Sequence, residues 1–548
     1  MTTPPDHAGR ERHATLARAI RATSLMTLGS RVGGLIRDVV VGRIFGATMI
    51  GSAFAAAFAI PNMFRRLFGE GALSAAFIPA YTQATRSSKA DADKLASLTI
   101  TSLGLITTAL TVLVELILVA VLLLAPHSYE RALSLKLILV MLPFMPLICT
   151  VAIQAAILQV HGRFGPAASG PIILNAFIVA TGLYFLFTKQ LGGEATAYIL
   201  GIATVLSGVT QMLWFFFLLR PHVAWTRSWQ SAQPRAVVMF RKFLPVAIGL
   251  GTLQLNTFLD TLLAMWPIWI GPTFLGRTYP LDDTSNVILS LTARLYQFPL
   301  GVFGISIASA IFPMLSRHAK EPDHFVDTLR RGLRLALYIG LPATLGLILV
   351  RHEAISVLYG HGRHGWDPES IRRAANVLAA FSVGIWAYSL NQVLTRAFYA
   401  QGDTKTPMKI SLAMIAVNIA LNLTLIWIPG VKESGLAWAT AISAILQTLI
   451  LATLCTRMLT RLGAHHQLAD PHARTAAVKT TAAALAMAAI VYFLLSLIPQ
   501  SSALATPWAW QLTRLTLATA LGGASYLALS KLLRIPELNW LMHRAPSP

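Results

Sequence analysis

Long apolar stretches, broken by short polar or charged intervals, recur along the chain from about residue 22 to residue 533. Read in windows of about 19 residues, with Gly, Pro and charge marking the ends, they resolve into fourteen helical segments. Their approximate limits are 22–45, 50–84, 94–124, 132–160, 166–190, 194–219, 236–268, 284–316, 325–351, 370–400, 405–428, 433–457, 472–497 and 508–533. A bilayer core takes about 20 apolar helical residues to cross, so each segment is long enough. The second and eighth are longer than a straight span needs and are interrupted by charge or glycine, which predicts bends there. The expected class is an all-α polytopic membrane protein with fourteen transmembrane helices.

Composition agrees with that pattern. Of 548 residues, 55% are hydrophobic and 12% charged, about half the charge of an ordinary soluble domain. The 44 Lys+Arg against 22 Asp+Glu would point to nucleic acid in a soluble protein. Here the cations sort by loop instead. With the N-terminus inside, the loops on that side (Arg86, Lys89, Arg163, Arg220 and Arg227 among them) and the two tails hold about 27, against 8 on the other side. A missed or invented helix would invert every later loop and erase the asymmetry, so the bias sets both termini in the cytoplasm. No nucleic-acid partner is called for. Residues 1–21 are polar and basic without the apolar core of a signal peptide, and read as a cytoplasmic tail. Cys149 and Cys455 both lie in apolar runs, which suggests neither a disulfide framework nor a thiolate metal site.

An internal echo points to two lobes. Ser74-Ala-Ala-Phe-Ile-Pro79 resembles Ala308-Ser-Ala-Ile-Phe-Pro313, and Gln159-Val-His-Gly162, Pro166 and Asn175 recur loosely as Tyr399-Ala-Gln-Gly402, Pro407 and Asn418. An even number of helices per repeat gives parallel, pseudo-symmetric six-helix lobes related by an axis along the membrane normal. The expected organisation is a tail (1–21), an N-lobe (22–220), a cytoplasmic linker (221–235) and a C-lobe (236–457). A C-terminal helix pair (472–533) and a tail (534–548) complete it.

Arginine within a span is costly and needs a partner or a polar cavity. In the first segment Ser30, Gly33, Gly34 and Arg37 share one helical face at i, i+3, i+4 and i+7, while Arg31 lies about 120° away. The glycines supply either a bend or close packing. Arg37 and Asp38 also read as an end-of-helix pair. The second segment places Arg65 and Arg66 after Asn62, with Glu70 the one nearby acid; a membrane-edge anchor is the plainer alternative. In the eighth, Leu291-Thr-Ala-Arg294-Leu-Tyr-Gln297-Phe-Pro299 holds an arginine with no acid within a turn, unless Arg294 reaches the interface. Five arginines against Asp38 and Glu70 make a cationic chamber suited to an anion. Arginine's planar fork fits phosphate. No P-loop, nucleophile elbow or metal-ligand spacing accompanies them, so the chain reads as a transporter and not an enzyme. The run from His361 to Asp367 and the pair His465-His466 read as solvated loops.

Three motifs resemble the MurJ (MviN) family of lipid II flippases, in the multidrug/oligosaccharidyl-lipid/polysaccharide exporter superfamily. They are Ser30-Arg-Val-Gly-Gly-Leu-Ile-Arg-Asp38, the run Pro61 to Ser74 with Ala76-Phe-Ile-Pro79, and Arg396-Ala-Phe-Tyr-Ala-Gln-Gly-Asp-Thr-Lys-Thr-Pro407. The resemblance spans essentially residues 20 to 533. It implies two six-helix lobes with a C-terminal pair whose apolar groove takes a polyprenyl tail. It also implies movement of lipid-linked peptidoglycan precursor from the cytoplasmic to the outer leaflet of a bacterial inner membrane. The implied partners are lipid II, membrane lipids and the peptidoglycan synthesis machinery, for a chain acting as a monomer. The family's cavity arginines map onto Arg31, Arg37, Arg65 and Arg294 with Ser30 beside them; Arg66, Asp38 and Glu70 also match, and Asn62 lies in the same run. Ala293 and Gln297 stand where many members have acids, and Ser52 near where an Asp is often found. No cofactor is implied apart from a sodium ion in some members, whose ligands map onto Asp260, Asn418, Asn422 and Thr440; Asn422 stands in place of an acid. A flippase for another polyprenyl-linked glycan of the same fold is the alternative.

Overall fold

Within a bilayer every backbone N–H and C=O must find its partner inside the chain, and helix formation satisfies that need locally. The computed structural model describes residues 26, 29–69, 72–188, 192–362, 365–463, 468, 470–500 and 507–542. It is helical almost throughout. Nine stretches among the described residues, from Lys89–Leu124 to Pro471–Leu497, are long and apolar enough to cross a membrane. Lys89–Leu124 leaves Leu105, Leu116, Ile117, Leu123 and Leu124 exposed; such a stripe suits lipid and would aggregate in water. The chain is a membrane protein.

Two compact units meet at Gly271 and Pro272. The first contains α1 (29–45), α2 (Met49–Gly69), α3 (Ala72–Ser87), α4 (Lys89–Leu124), α5 (Tyr129–Met141) and α6 (Phe144–Val160). It continues with α7 (Phe164–Thr188), α8 (Glu194–Leu219), α9 (Gln233–Ala264) and the short α10 (Trp266–Trp269). Phe45, Phe77, Leu95, Leu137, Phe144 and Phe215 fill its core. The linker expected at 221–235 runs into the first turn of α9, which packs against α2, α3 and α4 within this first unit.

The second unit opens with a small hairpin, Thr273–Phe274 paired antiparallel with Arg277–Thr278. Its two-residue turn, Leu275-Gly276, has both φ values positive (48° and 76°), the backbone twist that joins tightly linked strands. Then come α11 (Ser285–Pro299), a π-helical turn (Leu300–Gly304), α12 (Ile305–Arg317), α13 (Pro322–Leu349) and α14 (Arg351–Tyr359). The remainder is α15 (Pro368–Val383), α16 (Ile385–Ala400), α17 (Lys405–Leu425), α18 (Ser434–Arg461), α19 (Pro471–Leu497), α20 (Pro507–Leu532) and α21 (Pro536–Met542).

The interruptions fall where the sequence removes a hydrogen bond or a side chain. The second expected segment is covered by α2, with Pro61 inside it, and α3; residues 70 and 71 lie outside the described residues. The eighth is α11 and α12 joined through the π turn after Pro299; proline lacks the N–H and the wider turn absorbs the mismatch. At Gly384, between α15 and α16, a Cβ would sit 3.1 Å from the Ala441 Cα, so glycine there lets the chain press against α18.

The internal echo reappears in the backbone. After α6, Gly162 (φ 75°) donates to the Gln159 carbonyl at 3.0 Å and Arg163 to Leu158 at 2.8 Å. After α16, Gly402 (φ 76°) donates to Tyr399 at 3.0 Å and Asp403 to Phe398 at 3.0 Å. Both are left-handed glycine stops that satisfy the last carbonyls of a helix. Each is followed by a helix carrying a buried asparagine, Asn175 on α7 and Asn418 on α17.

Candidate functional site

In the first unit the predicted face of α1 is assembled around Asn175. Its side-chain amide donates to the Ser30 carbonyl at 3.1 Å, and its carbonyl oxygen accepts from Arg37 Nη1 at 3.1 Å. A Cβ on Gly33 would come within 3.3 Å of the Asn175 amide nitrogen. Of the two roles open to the glycine pair, close packing is the one Gly33 performs.

Arg37 is held from two further directions. Its Nε and Nη2 donate to Asp38 Oδ1 at 3.0 and 2.7 Å, and its guanidinium carbon lies 4.8 Å from the Phe58 ring centroid on α2. The two side chains are only 12% and 11% exposed, so this pair is largely withdrawn from water. Guanidinium carries five N–H donors, and these bonds use three. Two remain for an anionic oxygen. Charge-assisted hydrogen bonds of this kind are worth roughly 1.5–3 kcal/mol each.

One turn beyond Phe58, on the same face of α2, Asn62 accepts from Arg65 Nε at 2.8 Å. Asn62 is buried, and Arg65, Arg66, Ser30 and Arg31 are half-buried. Phe58 therefore links the α1 and α2 motifs at about one helical pitch, 5.4 Å. Glu70 lies outside the described residues.

In the second unit Arg294 is half-buried on α11. Tyr296 stacks on Phe381 of α15 at 4.4 Å and lies 6.0 Å from Tyr388. Two residues earlier on a helix is about 160° around the axis, so Arg294 faces away from that aromatic contact. Of the residues matched to sodium ligands, three belong to this unit and bond to one another. Asn422 donates to Asn418 Oδ1 at 2.9 Å, Asn418 to Thr440 Oγ1 at 3.4 Å, and Thr440 to the Leu436 carbonyl at 2.9 Å. Asp260 is buried in the first unit.

Three charge clusters were not anticipated. Arg373, at the start of α15, donates to Glu433 Oε1 and Oε2 at 2.8 Å each, to Thr284 Oγ1 at 3.1 Å and to Asp282 Oδ1 at 3.0 Å. It thereby ties α15, the N-cap of α18 and the segment that leads into α11 together. Arg514 on α20 pairs with Glu353 of α14 at 2.9 Å and donates to the Pro499 carbonyl at 2.9 Å and to that of Ile498 beyond the end of α19. Arg334 pairs with Glu537 of α21 and lies over Trp540. The signal for Arg514 was present, an arginine inside the segment 508–533, but its partner is 161 positions away.

Asp282 carries a pH signature. Burial alone pushes its carboxyl up, but hydrogen bonds from Arg373 and Thr284, with the charges of Arg373 and Lys432, outweigh it and bring it down to about 2. A depressed carboxylate contributes stability above its unfolded value, about 3.9, and that contribution is lost as pH falls towards 2. Thermal unfolding followed between those limits should show a smaller acid loss for Asp282→Asn than for the wild type. Of the loop histidines, His361 bonds to the Ser356 carbonyl at 2.8 Å, and Asp367 caps α15 through the amides of Glu369 and Ser370. His364, His465 and His466 lie outside the described residues. Among the described residues no group of three or more His, Cys, Asp or Glu is arranged to hold a metal.

The family described as "Lipid II flippase MurJ" matches residues 41–508. The chain is 32% identical over 535 residues to a Vibrio cholerae protein named "Probable lipid II flippase MurJ", covering 93% of this chain and 95% of that one. A Haemophilus influenzae protein of the same name is 30% identical, covering 85% and 90%. Among solved structures, a "Lipid II flippase MurJ, inward closed conformation" superposes with a TM-score of 0.74 at 24% identity, covering 95% of this chain and 99% of that one. An inward-facing multidrug-resistance MATE family transporter of the MOP superfamily gives 0.66 at 12% identity, covering 81% and 99%.

Proposed function

The chain belongs to the lipid II flippase MurJ family, and from that premise we propose that it carries lipid II from the cytoplasmic to the outer leaflet of a bacterial inner membrane. The observation that carries this reading is Arg37. It is a guanidinium withdrawn from water in the apolar interior, already neutralised by Asp38 and oriented by Asn175, with two donors left over. A charge kept at that cost is best explained by an anionic substrate.

The pyrophosphate and acidic headgroup bind Ser30, Arg31, Arg37, Arg65, Arg66 and Arg294, with Asp38, Asn62 and Glu70 supporting. Fourteen helices are arranged as lobes 22–220 and 236–457 flanking the linker 221–235. The lobes rock about the closed site by alternating access, and both termini (1–21 and 534–548) stay in the cytoplasm. The polyprenyl tail remains in lipid or in a groove beside 472–533. An inside-negative potential favours anion export or inward return of the empty cationic site; one charge across 100 mV is worth roughly 2.3 kcal/mol. The protein acts without catalysis, as a monomer, alongside the enzymes that use lipid II.

Growth rescue tests the reading. In a bacterium depleted of its own lipid II flippase, the wild-type chain should restore growth and Arg294→Ala at matched expression should not. Failure of a well-expressed wild type would shift the assignment to another polyprenyl-linked glycan.

A further inference from the structure

The ends of four helices of the first unit meet at a second polar site, away from the arginines. A cavity of about 270 Å³ is lined there by Tyr81 of α3, Lys89 and Asp93 of α4, His161 at the C-cap of α6, and Pro221 and His222 just after α8. The two imidazoles are stacked, with centroids 4.6 Å apart and ring planes 22° apart. His161 Nε2 lies 3.2 Å from the Tyr81 hydroxyl. Asp93 is 6% exposed. Its Oδ1, and Nε2 of His222, are buried without a hydrogen-bond partner among the described residues.

The cavity thus gathers a buried carboxylate and two stacked imidazoles with Asp93 Oδ1 and His222 Nε2 unsatisfied, so a proton taken up by the rings would give the carboxylate a counter-charge. Each histidine also follows the carbonyl end of a helix, where a positive charge is favoured. The face-to-face stack opposes a second proton, because two imidazolium rings at this spacing repel. We propose that His161, His222 and Asp93 form a one-proton site that couples the ends of α3, α4, α6 and α8. Empty, it leaves the rings neutral with His161 bonded to Tyr81. Loaded, it shares one imidazolium charge between the stacked rings, balanced by Asp93. The proton comes from bulk water through the cavity, which on the proposed topology opens to the cytoplasm.

The surrounding charges fix the signs of the test. Burial, then His222 and Lys89, hold His161 below the ordinary imidazole value, while Asp93 pulls it upward. Of the other charges near these helix ends, Asp91 pairs with Arg235, Lys94 bonds to Ser231, Arg220 lies over the Phe216 and Phe217 rings, and Arg86 of α3 is exposed.

Histidine-labelled, detergent-solubilised full-length protein followed by NMR between pH 4.5 and 8 measures the titration directly. The expected result is two coupled steps, the second at least tenfold harder in proton affinity than the first. Asp93→Asn should move the first step to lower pH and Lys89→Met to higher pH. In His222→Phe, which keeps a ring for stacking, a single step should remain on His161 and lie at higher pH. Two independent, unshifted titrations would overturn the proposal. So would Asp93→Asn and Lys89→Met variants that fold but leave both steps in place.

Discussion

Arg37→Ala is expected to abolish rescue of a flippase-depleted strain while the protein still inserts at wild-type level. The substitution removes three charge-assisted or polar bonds at once, two to Asp38 and one to Asn175, together with both donors left for substrate. Loss of a bidentate contact to a phosphate at roughly 1.5–3 kcal/mol per bond amounts to a fall in transport of about two orders of magnitude or more. Arg37→Lys separates charge from geometry. An ammonium keeps the positive charge but has no planar fork to reach Asp38, Asn175 and an anion together, so it should retain only partial rescue. Asn175→Leu leaves the charge and removes the group that orients it, and should fall between wild type and Arg37→Ala. Growth curves read beside membrane immunoblots measure all three. Full rescue by Arg37→Ala would place substrate binding elsewhere.

The second large effect concerns stability rather than transport. Arg373→Ala should destabilise the second unit by about 3–5 kcal/mol, the usual result of removing one partner from a buried ion pair. Glu433 is 1% exposed and accepts two of the arginine's hydrogen bonds. Asp282 and Thr284 hold the same guanidinium from the entry to α11. Without Arg373 the buried carboxylate of Glu433 loses its cation and keeps a 3.3 Å hydrogen bond from the Ser285 hydroxyl, and α15 loses its polar tie to α18. Arg373→Met combined with Glu433→Leu should recover part of the loss, because replacing both charges removes the desolvation cost as well as the attraction. Thermal unfolding of the purified protein in detergent reads this directly. An unchanged midpoint for Arg373→Ala would mean the cluster is not structural.

Which parts of this were legible in the sequence follows from the range of each interaction. The long apolar runs specify helices because backbone pairing in lipid is local, and Pro299 marks a break by the N–H that it lacks. The shared face of Ser30, Gly33 and Arg37 is likewise set by helical periodicity. What periodicity could not supply was the partner across that face, since Asn175 is 138 positions from Arg37. Arg514 and Glu353, or Arg334 and Glu537, are separated by still longer stretches. The short helices α14 and α21 escaped for a different reason. Nine and seven residues long and mixed in polarity, they are too short to stand as helices alone and rest on tertiary contacts, the ion pairs of Glu353 and Glu537 and the burial of Ile355, Val357 and Leu538.

The central claim is that this chain moves lipid II across the membrane, and the most direct measurement is the leaflet in which lipid II resides. In cells depleted of the native flippase and supplied with this chain, lipid II would be assayed by its susceptibility to an added, membrane-impermeant enzyme that cleaves the pyrophosphate-linked headgroup. The account predicts that wild type restores the externally cleavable fraction and that Arg37→Ala leaves lipid II protected inside. A fully inserted wild-type chain that left lipid II protected would contradict it.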